Sequence, residues 1–118
     1  MRTIAFYFYF FGYLLCSIPT LNKMKKYSNN QETVEEQDIK KNKYPKQWAK
    51  TLVKISGTEV TVKGEENIPS GSVLLVANHE GNFDIPVLLG HIKKPFGFIS
   101  KIEVKKIPIV WKWMDVMN

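Results

Sequence analysis

Arginine, cysteine and histidine are scarce in this 118-residue chain. No arginine follows Arg2, Cys16 is the single cysteine, and His79 and His91 are the only imidazoles. One cysteine excludes an intrachain disulfide and suits a reducing compartment. His79-Glu80 opens like the zinc-protease helix motif, but the position three beyond Glu80 is Phe83, so no metal site is expected. There is no glycine-rich phosphate loop and no internal repeat. Charge is missing altogether between Thr3 and Asn22.

That uncharged stretch is dense in rings. From Phe6 to Tyr13 every residue but Gly12 is aromatic. Its length is near the threshold of about 20 residues for a transmembrane helix. Pro19 and the aromatics also suit the bilayer interface, where rings bury and tyrosine hydroxyls stay wet. Residues 1–22 are therefore expected to be a membrane anchor, either spanning or lying in one leaflet. A signal peptide is the competing reading, though no Ala-x-Ala-like site follows and Cys16 lacks a lipoprotein cleavage context. If the segment spans, Lys23, Lys25 and Lys26 on its C-terminal side favour placing the remainder on the cytoplasmic face of the cell membrane.

The net charge of +6 and pI near 9.4 favour anionic partners. Residues 23–57 are expected to hold a polar linker and a basic amphipathic helix. Positions 27–39 are polar and of mixed charge, as in a linker or a solvated helix. Lys40, Lys41, Lys43, Lys46, Lys50 and Lys54 then follow with no acid among them. Pro45 can open a helix and Gly57 can close it. Trp48, Leu52 and Ile55 share a face with Ala49 and Val53 beside them, and Lys46, Lys50 and Lys54 line another. Such a helix fits a membrane surface or packs on a domain. Nucleic acid is not an expected partner, because the lysines are not interleaved with a recognition motif.

The remaining ~60 residues, 58–118, make a core that is marginal alone. Thr58–Lys63 alternates as a half-solvated strand, with Val60 and Val62 on one face. Val73–Ala77 reads as a buried strand, and Phe96–Ser100 as another. Residues 109–114 suit a buried helix or a second membrane-facing patch. The expected fold class is α/β.

Between strand and helix lies Asn78-His79-Glu80-Gly81-Asn82-Phe83-Asp84. His79 leaves the carboxyl end of the expected strand, where ligands collect in open α/β sheets. Asp84 stands where a helix begins. Residues five apart do not share a helix face, but a loop that doubles back can bring the carboxylate to the imidazole. One ring nitrogen is then fixed and the other is free to take a proton. Asp84 is equally placed to be an ordinary N-cap, and His79 to bond a loop carbonyl.

Residues 76–84, Val-Ala-Asn-His-Glu-Gly-Asn-Phe-Asp, resemble the first motif of the glycerolipid acyltransferases, the 1-acylglycerol-3-phosphate acyltransferase family. That motif is Asn-His, four residues, then Asp, usually after an aromatic. Glu66–Pro69 resembles the turn before it. Phe98–Glu103 and Lys106–Pro108 resemble the Lys-x-Glu and Ile-Pro segments that follow. The similarity covers roughly residues 58–113, and its upstream part looks like bacterial members. Glu80 and Gly81 depart from the commoner Gln-Ser or Gln-Thr.

The resemblance implies transfer of an acyl group from acyl-carrier protein or acyl-CoA to the free hydroxyl of a lysophosphatidic acid, in phospholipid biosynthesis. His79 would be the general base and Asp84 its partner, with Asn78, Lys101 and Glu103 supporting or near substrate. No tightly bound cofactor is implied. The family's phosphate-binding arginine motif lies C-terminal to the first motif, and no residue here matches it. The chain thus reads as an N-terminal portion of such an enzyme with little activity alone. The alternative is a catalytically inactive membrane-associated module, with a secreted small protein more distant.

Overall fold

A computed structural model describes residues 1–26 and 31–117. It contains five α-helices: α1 (Arg2–Cys16), α2 (Ile18–Lys25), α3 (Val34–Ser56), α4 (Asp84–His91) and α5 (Pro108–Met117). Short 3₁₀ turns occupy Glu65–Asn67 and Ile102–Lys106. The part of the expected linker at residues 27–30 lies outside the described residues.

The expected α/β class is wrong. Among the described residues there is no strand and no sheet. Segments 58–63, 73–77 and 96–100 have extended or irregular backbone without a ladder partner. Leu74 is 75 % exposed and Val76 86 %, so the run read as a buried strand is not buried. Apolar composition favours an extended chain, but a strand is stabilised by cross-strand pairs and by a covered face. Neither is present here; the core is assembled from helices instead.

α3 is the organising element. Thr33 and Glu36 form a capping box: Glu36 N–H donates to Thr33 Oγ1 at 3.2 Å, and Thr33 N–H donates to Glu36 Oε2 at 2.9 Å. The helix therefore starts well before Pro45, which was expected to open it, and carries that proline inside. An interior proline costs roughly 3 kcal/mol. Both caps and the buried face of Ala49, Leu52 and Val53 oppose that cost. Gly57 closes the helix at φ 78°, a conformation that favours glycine. A Cβ there would also lie 2.7 Å from Arg2 Nη1. The guanidinium thus sits at the C-terminus of α3, where the helix dipole favours a cation.

Two apolar clusters form around α3. One joins Ala49, Leu89, Met114 and Met117, with Trp48, Phe98, Val104 and Val110 against it. The other joins Leu21, Trp113 and Val116, with Met24, Tyr44 and Ile109. The apolar side of α3 thus faces protein. Segment 109–114 falls within the buried helix of the two alternatives. Trp113 stacks on Tyr44 at 5.5 Å and donates Nε1–H to Ser17 Oγ at 2.8 Å. Trp111, two residues away, diverges to the Lys105 ammonium at 4.8 Å.

No single helix among the described residues is long and apolar enough to cross a membrane; α1 and α2 pass that test only together, bent by 45°. α1 has two apolar faces. Phe6, Phe10 and Tyr13 turn inward, to Phe83, Trp48 and Tyr44. Ile4, Phe8, Phe11 and Leu15 recur every three or four residues and are exposed.

Candidate active site

α4 carries Asp84, and its placement is set by close packing on α3. Leu89 is buried in the core, and Gly90 lies against the α3 backbone. A Cβ on Gly90 would meet Lys50 N at 3.0 Å and Ala49 C at 3.3 Å. The far end of α4 is tied by Lys46 Nζ, which donates to Lys93 O at 3.0 Å. Burial and the neighbouring Lys50 lower the Lys46 ammonium pKa, and Glu65 opposes them. Lys94 Nζ donates to Pro69 O at 3.0 Å, fastening the 64–70 turn to the same end.

At the near end the loop doubles back. His79 Nδ1 lies 3.0 Å from Asp84 Oδ2. The same oxygen accepts the backbone N–H of Glu80 at 2.7 Å and of Gly81 at 3.1 Å. One carboxylate oxygen therefore gathers three donors. These bonds hold the Asp84 carboxyl below the usual carboxylate range, Gly81 and Glu80 contributing most and His79 less. An ionised carboxylate only accepts, so Nδ1 must donate. In the neutral ring Nε2 then keeps its lone pair. The imidazole is 64 % exposed and the carboxylate 34 %.

Asp84 is the first residue of α4, and the residue in the cap position, Phe83, makes no side-chain cap bond. The carboxylate is directed at the loop rather than at the helix N–H groups. Positions 80 and 81 act through their backbones, so the unusual Glu80 and Gly81 leave the arrangement intact. A Cβ added at Gly81 would meet nothing within 4 Å.

The other expected site residues are not gathered here. Asn78, Lys101 and Glu103 are exposed, and none is hydrogen-bonded to the pair among the described residues. Lys101 precedes the 3₁₀ turn and Glu103 lies within it; Lys101 O accepts Val104 N–H at 3.1 Å. His91 Nδ1 contacts Val87 O at 3.0 Å, away from the pair. No group of three or more metal-ligating side chains converges among the described residues. The sequence reading missed Phe6, whose ring lies 6.2 Å from that of Phe83. The signal was the spacing of Phe6, Phe10 and Tyr13, which sets one face of the aromatic stretch apart from the other.

The family model described as Acyltransferase matches residues 59–118, just over half of the chain. Three relatives bear the name 1-acyl-sn-glycerol-3-phosphate acyltransferase, with the qualifier "probable" for both Mycoplasma proteins. The Mycoplasma pneumoniae protein is 39 % identical over 56 residues, which are 43 % of this chain and 21 % of the relative. The Chlamydomonas reinhardtii protein is 44 % identical over 54 residues, 44 % of this chain and 16 % of the relative. The Mycoplasma genitalium protein is 36 % identical over 69 residues, 54 % of this chain and 25 % of the relative. The chain spans a quarter or less of the length of these relatives. No solved structure gives a significant match.

Proposed function

The chain belongs to the acyltransferase family, and on that premise we propose that it supplies the proton-accepting pair for acyl transfer to the free hydroxyl of 1-acylglycerol-3-phosphate. The observation that carries this reading is the 3.0 Å contact of His79 Nδ1 with an Asp84 oxygen already held by two backbone N–H groups. His79 Nε2 accepts the hydroxyl proton as the substrate oxygen attacks the carbonyl carbon of a thioester. The new ester C–O bond forms, the C–S bond breaks, and the imidazolium returns the proton to the leaving thiolate. Asp84 orients the ring and stabilises its charged form. The substrate hydroxyl is itself the nucleophile, so no acyl-enzyme intermediate is needed. General-base assistance supplies about 10²–10⁴-fold. The donor is acyl-carrier protein or acyl-CoA. Asn78, Lys101 and Glu103 are assigned supporting or substrate-proximal roles by their match to the family pattern alone.

The product belongs to phospholipid biosynthesis, and both glycerolipids reside in membranes. The outward stripe of α1 supports attachment along one leaflet; the side proposed is the cytoplasmic face, on the lysines that follow α1. Its inward face is taken up by protein, which leaves only one side for lipid. The lysines of α2 lie next to it in sequence and suit anionic headgroups.

The test is acylation of lysophosphatidic acid from a thioester donor by the gene product carrying this segment, with vesicle sedimentation alongside. Loss of most activity in His79→Ala, with folding retained by circular dichroism, is expected. Near wild-type transfer in that variant would sink the mechanism. Vesicle binding without any transfer would instead leave a catalytically inactive membrane-associated module.

A further inference from the structure

The loop from His79 to Asp84 is closed on itself by hydrogen bonds. Oδ2 of Asp84 accepts from His79, Glu80 and Gly81, and Asp84 N–H donates to Gly81 O at 3.1 Å. These bonds set the shape of the loop and tie it to the start of α4, but to no element beyond that. Residues 78–82 are exposed. Phe83 is the loop's aromatic residue, and its ring leaves the loop for α1, 6.2 Å from Phe6 and tilted by 45°.

Phe6 is itself held. It stacks on Phe10 at 6.4 Å with 24° between planes, and Phe10 packs 5.2 Å from Trp48 of α3. A continuous line of rings thus runs from α3 through the inward face of α1 to the residue beside Asp84. We propose that Phe6 is a positioning residue for the His79–Asp84 pair, acting through its ring contact with Phe83.

The inference rests on the acyl-transfer reading for its catalytic consequence, but not for its structural one. His79 is largely exposed, so water competes for Nδ1 and the loop must be held for the pair to persist. An aromatic contact contributes beyond mere area, enough to shift a two-state balance about three- to tenfold. A base displaced by about 1 Å can lose up to roughly 10²-fold in rate. α1 would then attach to lipid by its outward face and hold the site by its inward face.

The test is ¹⁵N NMR of the His79 ring in the full chain, above the pH at which imidazole titrates, on wild type, Phe6→Ala, Phe6→Tyr and Phe8→Ala. Phe6→Ala is expected to lower the ratio of Nδ1-protonated to Nε2-protonated ring about three- to tenfold. Phe6→Tyr restores it, and Phe8→Ala on the outward stripe leaves it unchanged. In the acylation assay, kcat falls by a similar factor in Phe6→Ala at constant KM, and vesicle binding is retained. Phe6→Leu, held to the same outcomes, replaces alanine should alanine unfold the chain. A folded ring-deleted variant with the wild-type tautomer ratio overturns the proposal. A shifted ratio with no measurable transfer by the gene product carrying this segment sustains the coupling and sinks the acyl-transfer reading; transfer with a ratio indifferent to Phe6 does the reverse.

Discussion

Asp84→Asn separates the charge of this residue from its geometry. In a site where the carboxylate meets only the imidazole, an amide can turn its NH₂ toward the ring and trap the wrong tautomer. Here that turn is opposed. The Oδ2 position already faces the N–H groups of Glu80 at 2.7 Å and Gly81 at 3.1 Å. An NH₂ placed there would meet two donors head-on, so the amide oxygen takes the position and still accepts from Nδ1. What is lost is the negative charge, and hydrogen bonds to a charged acceptor are about twice as strong as neutral ones. Two expectations follow. Asp84→Asn keeps the Nδ1-protonated tautomer and loses on the order of tenfold in transfer rate, because the imidazolium is less well stabilised. Asp84→Ala removes the shared acceptor and falls toward the His79→Ala level, about 10²–10⁴-fold down. The assays are lysophosphatidic acid acylation and ¹⁵N NMR of the ring. An inverted tautomer in Asp84→Asn, with activity no better than Asp84→Ala, would refute the pinning by backbone donors. Near wild-type rates in both variants would remove Asp84 from the chemistry.

The depressed Asp84 pKa makes its contribution to stability fully present above the unfolded value of about 3.9. That contribution is lost as pH falls through the lower folded value. A carboxyl ¹³C titration should therefore place Asp84 below other aspartates, and Asp84→Ala should flatten the acid limb of an unfolding curve; a midpoint at or above 3.9 counts against the three-donor geometry. Ser17→Ala leaves the Trp113 N–H without its acceptor in a buried site and should cost about 1–3 kcal/mol in urea unfolding; Trp113→Phe together with Ser17→Ala should add less than the two singly. Thr33→Ala breaks the capping box and should cost about 0.5–2 kcal/mol, with hydrogen exchange rising first at the start of α3. No change at that end would mean that tertiary packing alone fixes where the helix begins.

Some of this was legible from residues alone. The start of α4 at Asp84, the stop of α3 at Gly57 and the inward face of Ala49, Leu52 and Val53 follow from local rules of capping and periodicity. The doubled-back loop was readable as a possibility, since a separation of five forbids a shared helix face. The strands were not legible, because a strand is a property of pairs. Val73–Ala77 carries the composition of one, yet whether another segment lies alongside depends on the whole chain. The early start of α3 is legible in the sequence. Thr33-x-x-Glu36 is a capping signature, and it outweighs the helix-opening tendency of Pro45. The uncharged aromatic run hid two faces because every ring in it scores as apolar. The spacing of Phe6, Phe10 and Tyr13 groups them on one face, but the packing against Phe83, Trp48 and Tyr44 is what makes that face the inward one.

The two sequence readings of Asp84, helix cap and imidazole partner, compete for one carboxylate, and the local backbone explains why the second prevails. Of the four backbone nitrogens that open α4, that of Asp84 donates to Gly81 O and that of Val87 to Phe83 O, at 3.1 and 3.3 Å. Pro86 has no N–H at all. Little remains at this helix start for a side chain to cap. A charge in the first turn still interacts favourably with the helix dipole, wherever its oxygens point. Asp84 can therefore keep its electrostatic benefit to α4 and direct its hydrogen bonds to the loop. The proline two residues on is part of what releases it. Restoring an N–H there, as in Pro86→Ala, would offer the carboxylate a competing donor and draw it from His79. Pro86 stands in the first turn, where proline is tolerated and its missing N–H costs the helix little, so in Pro86→Ala the His79 tautomer ratio should fall while urea unfolding changes little; an unchanged ratio would count against the release of Asp84 by the proline.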